Sequence, residues 1–324
     1  MKPFKSFLAK ELDAFIVYRK GLGYDTRTIR SMLSIFDRYI SDQPDPSAVW
    51  QPFFYLKLRN EIGLGPSSVN SLLYAARCFL DYMRRKQALP NNPIKDVPCL
   101  PRQAFIPFVF SPEQVDQLLD TVCRRIRKSP RYFIKDLSEY LVFVLLARCG
   151  MRINEPLRLK IKDYRPEEKT LYIEKTKFKK DRLIPIPIAA AEAIENYLSI
   201  RQQWTEYTAN PYLFIGGKQK RLGDQRIRYV FHNMLSLNAI HRSRQLIGNT
   251  IFGNPTPHSL RHSFAVNTLN AAVARGESAQ NVLPVLAAYM GHVEYRHTMK
   301  YLKVIDAESG PSLLNFAGTQ REKV

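Results

Sequence analysis

Four short segments in the second half of the chain carry residue types that could do chemistry together. They are the hexapeptide 150–155 with Arg152, the lysine-rich segment 175–182 with Lys177, the segment 257–262 with His258 and Arg261, and Gly291-His292, with Tyr301 nine residues after the histidine. Together they supply two guanidinium groups, an ammonium group, two imidazoles and a phenol. A side-chain oxygen that attacks a phosphodiester needs such groups, because charge builds on the non-bridging oxygens and protons move at the entering and leaving oxygens. The set therefore favours a nucleophilic tyrosine that works without a metal ion.

The first segment suits a phosphate clamp. Arg152 follows the predicted end of a helix at Gly150, and Glu155 comes three residues later. An arginine can bind two phosphate oxygens at once, which suits a pentacoordinate phosphorus, and Glu155 could orient the guanidinium. Taken alone, an Arg–Glu pair at this spacing is more often an ordinary surface ion pair.

The second segment offers several candidates for a proton donor. Lys177 shares its window with Lys175, Lys179 and Lys180, between two predicted strands. A flexible ammonium in such a turn could reach into a DNA groove and protonate a departing 5′ oxygen. Composition alone does not choose among the four lysines, and all of them could be simple groove contacts.

The third segment opens a predicted helix. Pro257 precedes His258 and Arg261, and the spacing of three puts these two side chains on one face near the helix N-terminus, where anions are favoured. His262 should point roughly 100° away from Arg261, given the turn of the helix. By itself such a pair is usually part of a helix surface.

The fourth segment supplies the candidate nucleophile. A phenol has a pKa near 10 and attacks poorly at pH 7 unless its oxygen is hydrogen-bonded and surrounded by cations. His292 could hydrogen-bond the phosphate or Tyr301. Any one of the 17 tyrosines is a weak candidate alone. Tyr301 is favoured because all four segments occur together and in order.

The charge of the chain indicates a polyanionic partner. It has 49 Lys and Arg against 29 Asp and Glu, a formal net charge of +20 and a pI near 9.8. Basic residues are spread widely, which favours a protein that encloses its ligand over one with a basic tail. The alternative is a charged, solubilising surface.

The sequence predicts a soluble, intracellular protein. No apolar run approaches the length of a membrane span, and the first residues lack the apolar core of a signal peptide. The four cysteines are scattered, without metal-ligand spacing, so we expect neither structural zinc nor a disulfide framework, and no cofactor.

The organisation along the chain predicts two domains in a mainly α fold with a small β-sheet. Apolar stripes at helical spacing predict a bundle of about four helices over 1–96, and recurring prolines indicate an extended linker over 97–109. An α+β domain follows over 110–324, with a hairpin formed by 170–174 and 182–186.

Both domains carry candidate DNA contacts. In the helical domain these are Arg27, Arg30, Arg77 and Arg84; in the second domain they are Lys175, Lys179, Lys180, Arg182, Lys220, Arg221, Arg226 and Arg228. The alternative for the helical bundle is a protein–protein interaction module.

In combination, these motifs resemble the tyrosine recombinase, or phage integrase, family, including its Xer-like members. Gly-x-Arg-x-x-Glu matches 150–155, the lysine-bearing hairpin matches 176–185, His-x-x-Arg-His matches 258–262, and the Gly-His motif with its nucleophile matches Gly291, His292 and Tyr301. The resemblance covers nearly the whole chain, since the first domain is similar to the core-binding (SAM-like) domain of the family.

The resemblance implies a mechanism and an assembly. Tyr301 would attack the scissile phosphate to form a 3′-phosphotyrosyl link, Arg152 and Arg261 would stabilise the phosphorane, and Lys177 would protonate the leaving oxygen. His258 would assist proton transfer and His292 would hydrogen-bond the phosphate, without ATP or metal. The family also implies a C-shaped clamp on duplex DNA and a homotetramer with a dimer on each recombination site.

The resemblance leaves the biological role open among integration, excision, transposition and resolution by a mobile element or chromosome. It also leaves open an accessory DNA-bending protein or a partner recombinase. Two rival functions are a type IB topoisomerase and a non-catalytic DNA-binding relative. The filled catalytic positions and the core-binding bundle favour the recombinase.

Overall fold

The computed structural model describes residues 3–174, 181–204, 209–217, 220–292, 298, 299 and 301. The chain divides into two compact units, Met1–Ala104 and Phe105–Val324. None of the described helices combines the length and apolar character that a membrane crossing needs.

The first unit is helical, as its apolar periodicity predicts. Its helices are α1 (Ala9–Gly21), α2 (Arg27–Ser41), α3 (Pro52–Glu61) and α4 (Pro66–Arg85), with a 3₁₀ turn at Pro46–Trp50. Proline occupies the first position of α3 and α4, where its missing N–H costs nothing. One core holds the unit together, and its fully buried members include Leu33, Phe36, Leu72 and Phe79.

The first unit extends beyond the predicted domain end at residue 96. Asn70 on α4 exchanges two hydrogen bonds of 2.8 Å with the backbone N–H and carbonyl of Leu100. Arg77 on the same helix donates to the carbonyls of Ile94 (3.3 Å) and Val97 (3.1 Å). Part of the predicted linker is therefore bound to α4, and the division between the units falls after Ala104.

The second unit is built around helix α6 (Pro130–Arg148), whose apolar run from Leu141 to Ala147 is buried. This helix packs against α5 (Pro112–Arg124), α7 (Ile188–Gln202) and α9 (Pro257–Ala274). Ser111 caps α5 with the reciprocal Ser–Gln hydrogen bonds expected from the sequence. This unit also contains the α-helices α8 (Asp224–Leu237) and α10 (Ala279–Met290), and two 3₁₀ turns at Pro156–Arg158 and Ile161–Asp163.

Three small sheets complete the described part of the second unit. Strands β2 (Tyr164–Arg165), β3 (Thr170–Ile173) and β4 (Arg182–Pro185) form one sheet, in which Ile173 lies opposite Arg182. The predicted pairing of 170–174 with 182–186 is therefore present. Strand β1 (Ala104–Ile106) pairs with β8 (Thr250–Phe252), which pairs with β7 (Gln245–Ile247), and β5 (Ile215–Gly217) pairs with β6 (Lys220–Arg221).

Candidate active site

Arg261 lies at the centre of the candidate site. It is on the second turn of α9, and only 1% of its surface is exposed. It donates to the Gly150 carbonyl (2.6 Å), the Met290 carbonyl (2.7 Å) and His292 Nε2 (3.0 Å). Burial and the neighbouring Arg152 cation lower the pKa of Arg261 to about 9, which leaves the guanidinium charged near neutral pH. One side chain thus joins three of the sequence segments.

Gly150 shapes the turn that leads from α6 to Arg152. Its φ is +57°, in the left-handed region, and a Cβ at this position would lie 2.3 Å from Cδ1 of Phe264 on α9. Both the backbone conformation and the close helix approach therefore require glycine. The turn brings the Gly150 carbonyl to Arg261.

Replacing Gly150 by alanine should destabilise the second unit strongly. The left-handed conformation costs about 1–2 kcal/mol for alanine, and the forced movement of Phe264 adds about 1–3 kcal/mol. Gly248 provides a matched control, since its φ is +58° and nothing lies within 4 Å of its added Cβ. Urea unfolding should therefore give a larger loss for Gly150→Ala than for Gly248→Ala. Equal losses would show that the contact with Phe264 relaxes at no cost.

Glu155 holds Arg152 in place. It accepts from the Arg152 backbone N–H (2.8 Å) and from Nη1 (2.9 Å), while Arg152 Nη2 donates to the Gly291 carbonyl (3.2 Å). The Arg152 side chain keeps 23% of its surface exposed, against 9% for Glu155. The buried carboxylate of Glu155 thus orients Arg152, whose side chain remains partly exposed to solvent.

A second arginine binds the same carboxylate. Arg182 on β4 donates to both oxygens of Glu155 (3.1 and 2.9 Å) and to the Tyr289 carbonyl (3.0 Å). Burial raises the pKa of Glu155, but the hydrogen bonds and charge of Arg182 outweigh this, and the net pKa lies below its ordinary value. The sequence suggested a DNA contact for Arg182; instead its side chain is 10% exposed and links β4 to the end of α10.

Arg182→Ala should cost about 3 kcal/mol of unfolding free energy, because it removes one partner of a buried ion pair and leaves Glu155 with Arg152 alone. Arg165→Ala is the matched control in the same sheet. Arg165 pairs with Glu168 at 3.3 Å while both side chains are about half exposed, so its loss should cost less than about 1 kcal/mol. Similar costs for the two variants, measured by urea unfolding, would contradict a supporting role for Arg182.

His292 has defined partners at both ring nitrogens. Nε2 lies 3.0 Å from Arg261 Nη2 and Nδ1 lies 2.7 Å from Thr298 Oγ1. Since a guanidinium can only donate, Nε2 must accept, and the neutral ring then carries its proton on Nδ1. The preceding Gly291 ends α10 in the left-handed conformation (φ +67°) and lies against Arg182.

Tyr301 is fully buried beside these residues. Its hydroxyl lies 3.1 Å from His262 Nδ1, and its ring is stacked near that of His292 at 6.3 Å between centroids. Burial raises the pKa of Tyr301 to about 12, while Arg261 and Arg152 act in the opposite direction. The phenol is therefore protonated near pH 7, and an attack by its oxygen must be accompanied by loss of the proton.

Comparison with known proteins assigns the family. Residues 109–308 match the model of the phage integrase family, and this range contains all four sequence segments. The chain belongs to the phage integrase family. The sequence resemblance is thereby confirmed, and the chain is a tyrosine-type site-specific recombinase.

Relatives align along most of this integrase-family chain. The Sinorhizobium fredii protein y4rB, by name an integrase/recombinase, is 29% identical over 92% of this chain and 93% of its own length. The tyrosine recombinase XerA of Pyrococcus furiosus is 26% identical over 93% and 91%. The fold is shared with XerH bound to difH substrate (TM-score 0.64, 19% identity, 93% of this chain and 83% of that one). It is also shared with a lambda integrase tetramer bound to a Holliday junction (TM-score 0.62, 14% identity, 89% and 77%).

The recombinase brings most of its predicted catalytic residues together. Arg152, Arg261, His292 and Tyr301 converge with Glu155 through the contacts above. His258 lies exposed on the first turn of α9, and its ring packs edge-on against His262, 4.6 Å between centroids. The predicted lysines 175, 177, 179 and 180 lie outside the described residues. Among the described residues, no three His, Cys, Asp or Glu side chains gather as a metal site.

The predicted DNA contacts differ in how they are placed. Arg27, Arg84, Lys220, Arg221 and Arg228 have exposed side chains. Arg30 is 16% exposed and pairs with Asp13 at 3.0 Å. Arg77 donates to backbone carbonyls of its own unit, and Arg226 donates to both oxygens of the buried Glu139 (2.7 and 3.0 Å). In these contacts Arg30, Arg77 and Arg226 stabilise their own units.

Sequence reasoning named Arg182 and His262 but did not find their partners in the site. Arg182 is a basic residue at a predicted strand, and this pattern is as typical of a DNA-groove contact as of a buried ion pair. His262 belongs to the His-x-x-Arg-His pattern. Its side chain was expected to point away from Arg261, and the sequence did not indicate what it would contact there. In the structure that direction leads to Tyr301.

Proposed function

We propose that this recombinase cleaves DNA by attack of Tyr301 on the scissile phosphate, which forms a 3′-phosphotyrosyl link and releases a 5′-hydroxyl. The observation that carries the proposal is the position of the phenol: its oxygen is hydrogen-bonded by an imidazole and lies in the field of Arg152 and Arg261. The imidazole can take the phenolic proton, and the two arginine cations offset part of the burial that raises the pKa of the phenol.

The other residues act on the phosphate. Arg152, oriented by Glu155, and the buried Arg261 stabilise the charge that develops on the phosphorane oxygens. His292 hydrogen-bonds a non-bridging oxygen once its Nε2 carries a proton, which requires that the contact between Nε2 and Arg261 is given up when the phosphate binds. Exposed His258 assists proton transfer. Lys177 protonates the leaving 5′ oxygen. Attack by the partner strand's 5′-hydroxyl then reverses the chemistry and rejoins the DNA.

The substrate is a double-stranded recombination site, and the active assembly is a homotetramer with a dimer on each site. Two observations support this proposal: the related fold of XerH is bound to difH substrate, and that of lambda integrase occurs as a tetramer on a Holliday junction. Both units contribute basic residues, so both contact the duplex. We place the enzyme with the DNA of the prokaryotic cytoplasm, where it serves integration, excision, transposition or resolution.

A suicide substrate with a nick beside the scissile phosphate tests the proposed function. Once Tyr301 attacks, the short 5′-hydroxyl strand diffuses away and the covalent complex accumulates, so a denaturing gel should show a protein–DNA adduct. The adduct should form in EDTA, because arginine and lysine side chains supply the charge stabilisation. Peptide mapping should place a 3′-phosphoryl group on Tyr301. An adduct on a different residue, or on the 5′ side of the break, would overturn the proposal.

DNA affinity should fall steeply with salt. Each phosphate neutralised by a Lys or Arg contributes about 0.9 to the slope of log affinity against log salt concentration. The pair Lys220→Ala and Arg221→Ala on β6 should therefore make the slope shallower by up to about two such contacts. Arg275→Ala is the control, since its exposed side chain pairs with Glu277. If Lys220→Ala and Arg221→Ala keep the wild-type salt slope, β6 lies away from the DNA.

A further inference from the structure

His262 is placed to act on the nucleophile itself. It lies on the second turn of α9, is only 6% exposed, and its Nδ1 lies 3.1 Å from the Tyr301 hydroxyl. The two rings are tilted by 58° with their centroids 5.6 Å apart. This is hydrogen-bond distance for a direct proton transfer between the phenol and an imidazole.

The helix holds the His262 ring rigidly. The residues around it on α9, Ser259, Leu260, Arg261 and Ser263, are all buried. Ser263 Oγ accepts from the Phe110 backbone N–H at 2.7 Å, which ties this turn to the start of the second unit. On the outer side, the ring of His258 packs edge-on against His262. Because the His262 ring is buried and packed against His258, the protein itself fixes its orientation.

The other imidazoles are arranged for different work. His292 uses Nε2 as an acceptor for Arg261, and its Nδ1 proton is directed at Thr298. Its accepting nitrogen is thus occupied by the phosphate-binding arginine. His258 is exposed on the first turn of α9. His262, in contrast, has a ring nitrogen within hydrogen-bond distance of the phenol.

We propose that His262 is the general base that accepts the phenolic proton of Tyr301 during cleavage. This inference rests on the proposed function of Tyr301. The Oη–H bond of Tyr301 breaks as the proton passes to Nδ1 of His262, which must be in the Nε2–H tautomer. The Oη–P bond forms while the bond from phosphorus to the 5′ oxygen breaks, and the leaving oxygen takes its proton from Lys177. During rejoining the incoming 5′-hydroxyl returns a proton to Lys177, and His262 returns its proton to Oη.

His262→Asn is the decisive variant. The asparagine oxygen can lie close to the position of Nδ1 and accept a hydrogen bond, but an amide cannot hold the proton. Single-turnover cleavage of the suicide substrate at saturating protein should fall by about 10²–10⁴, the usual contribution of a general base, while the Kd for DNA is unchanged. His262→Gln is measured beside it, and thermal unfolding shows which variant keeps the fold. His232→Asn, an exposed histidine on α8, is the control and should cleave like the wild type.

A 5′-bridging phosphorothioate separates the two proton transfers. A thiolate leaves without protonation, so this substrate should rescue Lys177→Ala but not His262→Asn. Wild-type cleavage rates for His262→Asn would mean that the hydrogen bond only positions the phenol, and rescue by the phosphorothioate would place His262 on the leaving-group side. Either result overturns the inference. Failure of the proposed function is distinguishable, because the wild-type adduct would then map to a residue other than Tyr301.

Discussion

Tyr301→Phe should abolish the covalent adduct with a suicide substrate and leave DNA binding intact. Phenylalanine keeps the ring that packs with Ala265, Leu269 and Met290 in the apolar cluster around Tyr301, and it removes the oxygen bound to His262. Removing a nucleophile in a concerted site costs on the order of 10⁴ or more in rate. The adduct should therefore be absent from a denaturing gel, while the Kd measured by gel shift stays at the wild-type value.

Tyr229→Phe supplies the matched control. Its hydroxyl is lost from a side chain that is 57% exposed on α8, so adduct formation should match the wild type. Persistence of the adduct in Tyr301→Phe would exclude this phenol as the nucleophile. Loss of binding in the same variant would instead indicate that the hydroxyl supports the fold of the DNA-binding surface.

Arg261→Lys should lose about 10²–10³ in the single-turnover cleavage rate, the usual cost of removing a donor from developing oxyanion charge. It should also lose stability. An ammonium is a point charge that cannot span the Gly150 carbonyl, the Met290 carbonyl and His292 together. Each buried acceptor left without its donor costs about 1–3 kcal/mol. Urea unfolding and cleavage of the suicide substrate measure the two losses separately.

Arg275→Lys is the control for this substitution. Arg275 follows the same helix α9, and its side chain is 62% exposed beside Glu277, so the change should leave both stability and cleavage near wild type. If Arg261→Lys cleaved at the wild-type rate, the guanidinium would stabilise only the fold and not the charge on the phosphate.

The sequence was informative where chemistry and local periodicity coincide. Arg152, Arg261, His292 and Tyr301 could be chosen because few residue types perform phosphoryl transfer, and their motifs have characteristic spacing. The helices of the first unit followed from apolar periodicity. The turn at Gly150 followed from its position after an apolar helix.

Contacts between distant segments could not be derived in this way. Arg182 lies 27 residues from Glu155 and 107 from Tyr289 along the chain, and its basic character fits a DNA groove as well as a buried carboxylate. The direction of His262 could be derived from the helix turn, but its partner depends on how α10 and the segment after it pack on α9. The first unit extends into the predicted linker because Asn70 binds Leu100, a contact that composition does not encode.

The site arginines bind carbonyls at the ends of two helices. Arg261 donates to Gly150, just past α6, and to Met290 at the end of α10, while Arg152 and Arg182 donate to Gly291 and Tyr289. These carbonyls form the negative ends of the helix dipoles and lack partners within their helices. These side chains therefore cap the ends of helices, and in the proposed mechanism Arg152 and Arg261 also bind the phosphate. In many enzymes the catalytic residues lower the free energy of unfolding, and replacing them stabilises the protein. We expect the reverse at Arg261, because its loss would leave the Gly150 and Met290 carbonyls without their donor. A lineage that abandoned recombination would then be under selection to keep Arg261 for the stability of the fold.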